Sequence, residues 1–331
     1  MNSLTIKVTD SCNAACYHCT PRVEFYESQG NQGAIDTGTL TALLDNPLFC
    51  SLSKISFSGG EPTLVSHLPK LCKIARLKVS QLTINTNGSN SSSEFWEMLI
   101  ESGVTNVNIS LDSGKERLQD WLRNKRGLYK SQLRLLRVLK ELKLRFPILS
   151  ISVVSILSNF NLLELDDLFE MIIKNKCDRW VIHYPECDDQ AIFVPTVNKI
   201  HLFRGKILPK LKTLAKAHLG NIVNVERLLR NIYSPDLLCL ESVSSGVYWP
   251  LSKVLSERPC HILGNFVLFL RDGRLMPCPG ADYGSLNPIG AITGNDKLEV
   301  DTQQWNQIIR EKVAYCCYCP VPEQIKIPMR Y

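Results

Sequence analysis

Short apolar runs punctuate the first half of the chain, and most alternate as strand positions do, at residues 4–8, 54–57, 81–85, 104–110, 149–154 and 180–184. Between them the apolar period lengthens toward that of a helix, near residues 37–44, 65–77, 93–102, 128–144 and 162–175. In the longest of these, Leu128, Leu135, Leu136, Leu139 and Leu142 recur at helical spacing, which predicts one face packed into a core. Strand and helix in strict alternation predict βα units around a parallel sheet, and so an α/β fold.

The pattern changes further on. Residues 194–233 read as helical, with Leu211, Leu214, Ala215 and Leu219 on one side. Residues 234–259 break into a loop containing proline and serine. This places a domain over residues 1–235, a linker over 236–259 and a second, smaller domain over 260–331. Within the smaller domain, short runs at 266–270 and 274–276 flank Asp272-Gly273, a strong hairpin signal, and a helix is expected near 302–312.

Composition narrows the setting without identifying the chemistry. The 331 residues are 44% hydrophobic and 21% charged, enough apolar material for a sizeable core. No apolar run reaches the length of a membrane span, and the first ten residues are too polar for a signal peptide. Thirteen cysteines in such a chain suit metal sites in a reducing, cytoplasmic setting better than a disulfide framework. The net charge of +6 is spread out; the basic stretch from Arg204 to Lys216 reads as a solvated helix face.

The chemistry sits in the cysteines. After the first strand comes Cys12-Asn-Ala-Ala-Cys16-Tyr-His-Cys19. Three thiolates on one short loop can hold three corners of a [4Fe–4S] cube, leaving one iron open to a substrate or cofactor. A zinc loop would prefer paired cysteines. After the second strand comes Gly59-Gly60-Glu61-Pro62. By itself that is an ordinary turn; its glycines also allow a backbone to approach a ligand closely, and its carboxylate can accept from an amino group.

These two motifs, in this order and one βα unit apart, resemble the radical S-adenosylmethionine (radical SAM) superfamily. The resemblance implies a partial (β/α)6 TIM-type barrel, with SAM bound to the open iron and split reductively into a 5′-deoxyadenosyl radical that takes hydrogen from the substrate. By the same resemblance Cys12, Cys16 and Cys19 ligate the cluster, Gly59, Gly60 and Glu61 contact the methionine part of SAM, and His18 lies beside the adenine. Sites in parallel barrels gather where the strands end. Candidates there are Thr86 and Asn87 after the third strand, Ser110 and Asp112 after the fourth, and Ser155 and Asn159 after the fifth. Arg126, with Arg123 and Lys125 in competition, stands where relatives carry an arginine near the SAM carboxylate. After the sixth strand Tyr184, Glu186 and Cys187 are the candidates for a catalytic acid, base or thiol; a solvated acidic loop is the simpler reading.

A second set of cysteines follows. Cys260 and Cys278 bracket the hairpin, and Cys316 and Cys319 have the spacing of two thiolates on one metal centre, with Cys317 as an ambiguous neighbour. The pattern Cys-x12-Gly-x4-Cys and a distal pair is similar to the SPASM/twitch extension of radical SAM enzymes. As the sequence stops soon after Cys319, the shorter twitch form with one auxiliary [4Fe–4S] cluster is expected, and a structural zinc is the plainer alternative. Cys50, Cys72, Cys177, Cys187, Cys239 and Cys317 are left over, and isolated cysteines are usually small buried hydrophobes.

The resemblance thus implies a SAM-cleaving enzyme acting oxidatively on a peptide or a small natural-product intermediate. Its partners would be a reductant such as flavodoxin or ferredoxin and, because the cysteines begin at residue 12, a separate peptide-recognition protein. Neither a membrane nor nucleic acid is expected as a partner. Dehydrogenation of an aminosugar or alcohol, redox-neutral epimerisation, and a non-enzymatic zinc protein are the competing readings; the last leaves Gly-Gly-Glu-Pro without a task.

Overall fold

The structure, a computed structural model, describes residues 2–19, 33–183, 191–193, 195–218, 266–277, 288–293 and 297–310. Six parallel strands run in sequence order: β1 (Ser3–Thr9), β2 (Lys54–Gly59), β3 (Gln81–Thr86), β4 (Asn106–Ser110), β5 (Ser150–Ile156) and β6 (Arg179–His183). The helices between them are α1 (Thr37–Leu44), α2 (Leu68–Arg76), α3 (Ser93–Glu101), α4 (Glu116–Leu122), α5 (Leu128–Arg145) and α6 (Leu165–Lys174). The α/β expectation holds, as one large and mostly parallel sheet.

Alternation decides which face is covered. Leu4, Ile6 and Val8 of β1, Ile55 and Phe57 of β2, Leu82 and Ile84 of β3, and Val107 and Ile109 of β4 are all buried at every second position. Each such aliphatic side chain contributes about 1.5–3 kcal/mol by leaving water. On α5, Leu128, Leu135, Leu136, Leu139 and Leu142 are buried as their spacing predicts. Polar caps start the helices. Asp36 accepts from Thr39 N at 2.7 Å before α1, and Ser92 Oγ from Phe95 N at 3.2 Å before α3.

The expected helix ends shift where the local chemistry differs. In the stretch 65–77 the helix α2 begins only at Leu68, after a 3-10 turn at Pro62–Leu64, and its Pro69 lies in the first turn, where its missing N–H costs nothing. Residues 197–217 form α7 (Val197–Leu202), a π-helical turn (Phe203–Ile207) and α8 (Leu208–Ala217). Pro209 has no N–H for the carbonyl four residues back, a recognised cause of such interruptions.

The hairpin around Asp272-Gly273 is present as β7 (Phe266–Phe269) and β8 (Arg274–Met276). Two strands not anticipated, β9 (Gly290–Thr293) and β10 (Lys297–Val300), continue the antiparallel ladder, and α9 (Thr302–Arg310) follows. β7 lies parallel to β1, with Ser3 opposite Phe266 and Ile6 opposite Phe269, so the sheet order is β10-β9-β8-β7-β1-β2-β3-β4-β5-β6. Asn46 Nδ2 also donates to Leu298 O at 3.1 Å. The proposed linker, 236–259, lies outside the described residues.

Among the described residues no helix is long and apolar enough to cross a membrane. The isolated cysteines divide. Cys72 and Cys177 are fully buried, and burial pushes the Cys177 thiol up to about 12; Cys50 is exposed, unlike the buried role expected for it. Brief iodoacetamide treatment of the folded protein at neutral pH should therefore label Cys50 and spare Cys72 and Cys177. A peptide mass map showing Cys72 labelled as fast as Cys50 would contradict this packing.

Candidate functional site

Because β1 to β6 are parallel, their C-terminal ends share one edge of the sheet, and the loops that follow meet there. The cysteine loop leaves β1 at Thr9, whose Oγ1 accepts from Ser11 N at 3.1 Å. Cys16 is buried, Cys12 and Cys19 are half-buried, and none of the three is in a disulfide. Cys19 N donates to Cys16 O at 3.2 Å, closing a turn. Cys12 Sγ receives Ala14 N at 3.4 Å and Asn87 Nδ2 at 3.8 Å. Burial pushes the Cys12 thiol up, against the Ala14 N–H that favours the thiolate.

Gly59 and Gly60 zip the next loop onto this one. Gly60 N donates to Thr9 O at 2.7 Å, and Glu61 N to Ser11 O at 2.8 Å. A Cβ on Gly59, whose φ is +126°, would sit 2.2 Å from Thr9 O, and one on Gly60 2.1 Å from Ser11 O. No side chain fits at either position without moving the cysteine loop.

Glu61 is tied into the ends of two strands. Its carboxylate is buried, and Oε1 accepts from Thr63 N at 3.1 Å, Thr63 Oγ1 at 2.7 Å and Thr86 Oγ1 at 2.8 Å. Oε2 accepts from Asn87 N at 2.6 Å. Burial pushes this carboxyl up while those donors oppose the shift. The side chain braces the end of β2 against the end of β3. Asn87 passes the connection on, donating from Nδ2 to Asn13 Oδ1 at 2.9 Å.

After β4, Ser110 O accepts from Gln132 Nε2 at 2.7 Å, and Asp112 is buried. Asp112 Oδ1 accepts from Ile156 N at 2.8 Å and Arg123 Nη2 at 2.9 Å. Arg123 Nε also approaches Asp112 Oδ2 at 2.7 Å, as an ion pair without hydrogen-bond alignment. Arg123 Nη1 reaches Cys16 Sγ at 3.8 Å. His18 Nε2 lies 3.9 Å from Asp112 Oδ2, and burial, then Arg123, lower its pKa to about 4, leaving a neutral ring at pH 7.

The three basic candidates of this corner are placed differently. Arg126 is exposed, and the arginine brought to the cysteine loop is Arg123, at the end of α4. Sequence periodicity did not reveal α4, which has seven residues and no side-chain cap. A signal was present nonetheless: Gln119, Leu122 and Arg123 share one helical face and are buried. The same corner grips the loop twice more, through Tyr17 N to Leu122 O at 3.1 Å and Lys125 Nζ to Asn13 O at 2.7 Å. Ser155 is occupied structurally: its hydroxyl donates to Leu111 O and accepts from Trp180 Nε1. Tyr184, Glu186 and Cys187 lie outside the described residues, as do Cys260, Cys278, Cys316, Cys317 and Cys319.

Among the described residues no three His, Cys, Asp or Glu side chains converge as ligands of a single ion would. A cube does not require that, since each cysteine binds its own iron. Three cysteine sulfurs on one loop outside any disulfide, those of Cys12 and Cys16 facing N–H or guanidinium donors, fit such a group.

Residues 6–172 match the family described as the Radical SAM superfamily. The Fe-coproporphyrin III synthase of Methanosarcina barkeri is 35% identical over 161 residues, 47% of this chain and 39% of that protein. A GTP 3′,8-cyclase of Clostridium acetobutylicum is 32% identical over 114 residues, 34% of this chain and 35% of that one. The chain thus spans well under half the length of these relatives. In fold it is similar to native anSMEcpe with bound AdoMet (TM-score 0.63, 15% identity, 95% of this chain and 82% of that one). It is also similar to Streptococcus suis SuiB bound to precursor peptide SuiA (TM-score 0.62, 14% identity, 97% and 70%).

Proposed function

Since the chain belongs to the radical SAM superfamily, whose members are enzymes, we propose that it modifies a peptide or a small natural-product intermediate oxidatively. A [4Fe–4S] cluster and SAM, if bound here, would supply the radical chemistry that removes hydrogen from the substrate. The observation that carries this reading is the junction of Gly59-Gly60-Glu61 with the cysteine loop, through Gly60 N to Thr9 O and Glu61 N to Ser11 O.

The residues divide the work. Cys12, Cys16 and Cys19 would hold three irons of the cluster, and Asn87 and Arg123 donate toward the sulfurs of Cys12 and Cys16. Charge-assisted donation to sulfur favours the electron-rich state of a thiolate centre. Glu61 keeps the glycine turn in place from within, so that Gly59 and Gly60 offer backbone rather than side chain to SAM. The neutral His18 ring is available to the adenine, and Asp112 holds Arg123. Thr86 and Ser110 stand at the same rim. Residues 1–235 would form the partial (β/α)6 barrel and 260–331 a twitch extension, with Cys260, Cys278, Cys316 and Cys319 holding an auxiliary [4Fe–4S] cluster as electron acceptor. A cytoplasmic location suits the reduced thiols.

The peptide reading draws on two neighbours in fold that were solved with peptides, SuiB with its precursor SuiA and anSMEcpe with the Cp18Cys peptide. The deciding experiment is oxygen-free incubation of iron-loaded protein with SAM, a reductant and deuterated candidate peptides and small alcohols. Deuterium in 5′-deoxyadenosine identifies the substrate class and the position attacked. Protein carrying about eight irons per chain, enough for two cubes, that cleaves no SAM would overturn the reading.

A further inference from the structure

The outer side of the corner that grips the cysteine loop has an unusual surface. Tyr17, the residue after Cys16, is 39% exposed and packs on Trp121, 41% exposed, with ring centroids 5.2 Å apart. Trp121 meets Phe160 at 4.7 Å, Phe160 meets Phe193 at 5.4 Å, and Phe193 reaches His18 at 6.2 Å. A continuous aromatic seam therefore joins solvent to Tyr17 and His18, the two residues between Cys16 and Cys19.

Charge surrounds the outer end of the seam. A shallow depression there is lined by Arg117, Trp121, Lys125 and Arg126, with Glu116 and Asp120. The carboxylates are engaged: Glu116 pairs with Lys130 at 3.0 Å, and Asp120 accepts from Gly127 N and from Tyr129 N at 2.8 Å. Arg117 and Arg126 are exposed and carry no ion pair among the described residues. The face presents an aromatic centre and a positive rim.

We propose that this face docks an acidic one-electron carrier protein and is the entry point for the electron that reduces the cluster held by Cys12, Cys16 and Cys19. The inference rests on the function proposed above. In the step, one electron leaves the reduced flavin or iron of the carrier, which is oxidised by one, and the cluster gains it. Arg117 and Arg126 steer an anionic partner, since opposite potentials raise encounter rates. Trp121 and Tyr17 supply the desolvated contact, as aromatic residues do at interface centres, one residue from a cluster ligand.

The test uses iron-loaded protein, reduced flavodoxin as the probe, and the double variant R117E/R126E beside R117A/R126A. The charge-reversed variant should bind flavodoxin about tenfold more weakly at low ionic strength, with the difference shrinking as salt rises. Its flavodoxin-driven SAM cleavage should fall in step, and by a larger factor than its dithionite-driven cleavage. The alanine pair should fall between. Equal affinity of all three proteins for flavodoxin, at matched thermal stability, overturns the docking site. Wild-type protein that cleaves no SAM with dithionite overturns the function instead, and the binding measurements still decide the face.

Discussion

Cys16→Ala should abolish SAM cleavage, leaving at most background 5′-deoxyadenosine from protein that remains folded. Of the three loop cysteines Cys16 is the buried one, and its sulfur faces the Arg123 guanidinium. Without it, two half-buried thiols remain on the loop, too few to anchor a cube. Losing a mere supporting neighbour of a metal ligand costs about 10–100-fold, so losing a ligand should exceed a hundredfold. Iron content and the visible absorption of the cluster should fall with activity, while the sheet is untouched. Wild-type rates of SAM cleavage from anaerobically loaded Cys16→Ala protein would remove the cysteine loop from the chemistry.

The second large effect concerns stability. Asp112→Ala should destabilise the apoprotein by about 3–5 kcal/mol, because it leaves the Arg123 charge buried without its partner. The same change frees Ile156 N from Asp112 Oδ1. Replacing both members by apolar residues, as in Asp112→Leu with Arg123→Met, should recover most of that loss, since two apolar neighbours leave no stranded charge. It should not recover SAM cleavage, because Cys16 loses its guanidinium donor and His18 loses the carboxylate beside it. Urea unfolding of the three proteins measures the first claim, and 5′-deoxyadenosine release the second. A single variant as stable as the parent would mean that the pair holds nothing.

Much of this site was legible in the sequence, for a physical reason. Cys-x3-Cys-x2-Cys and Gly-Gly-Glu-Pro are local patterns in which each residue type is dictated by immediate geometry, as the Gly60 contact with Ser11 O shows. The strands and α5 were legible too, because burial imposes its period directly on the residues. What escaped depends on tertiary neighbours. That the Glu61 carboxylate accepts from Thr86 and Asn87, some 25 residues away, depends on how the ends of β2 and β3 meet. Arg126 and Arg123 are the same residue type, and only the end of α4 at Arg123 and the turn that follows it put one inward and the other in solvent. The four-residue strands β9 and β10 are too short to show a period.

The place of β7 beside β1 has a consequence for how the protein is made. The strand that leads into the cysteine loop finds β2 about fifty residues later, but its other neighbour, pairing Ser3 with Phe266, leaves the ribosome far behind it. Throughout that interval β1 exposes a row of unpaired amides and carbonyls, a template on which nascent chains can join. Ribosome stalling before β7 should therefore yield aggregation-prone chains, and chaperone dependence should ease once that strand is synthesised.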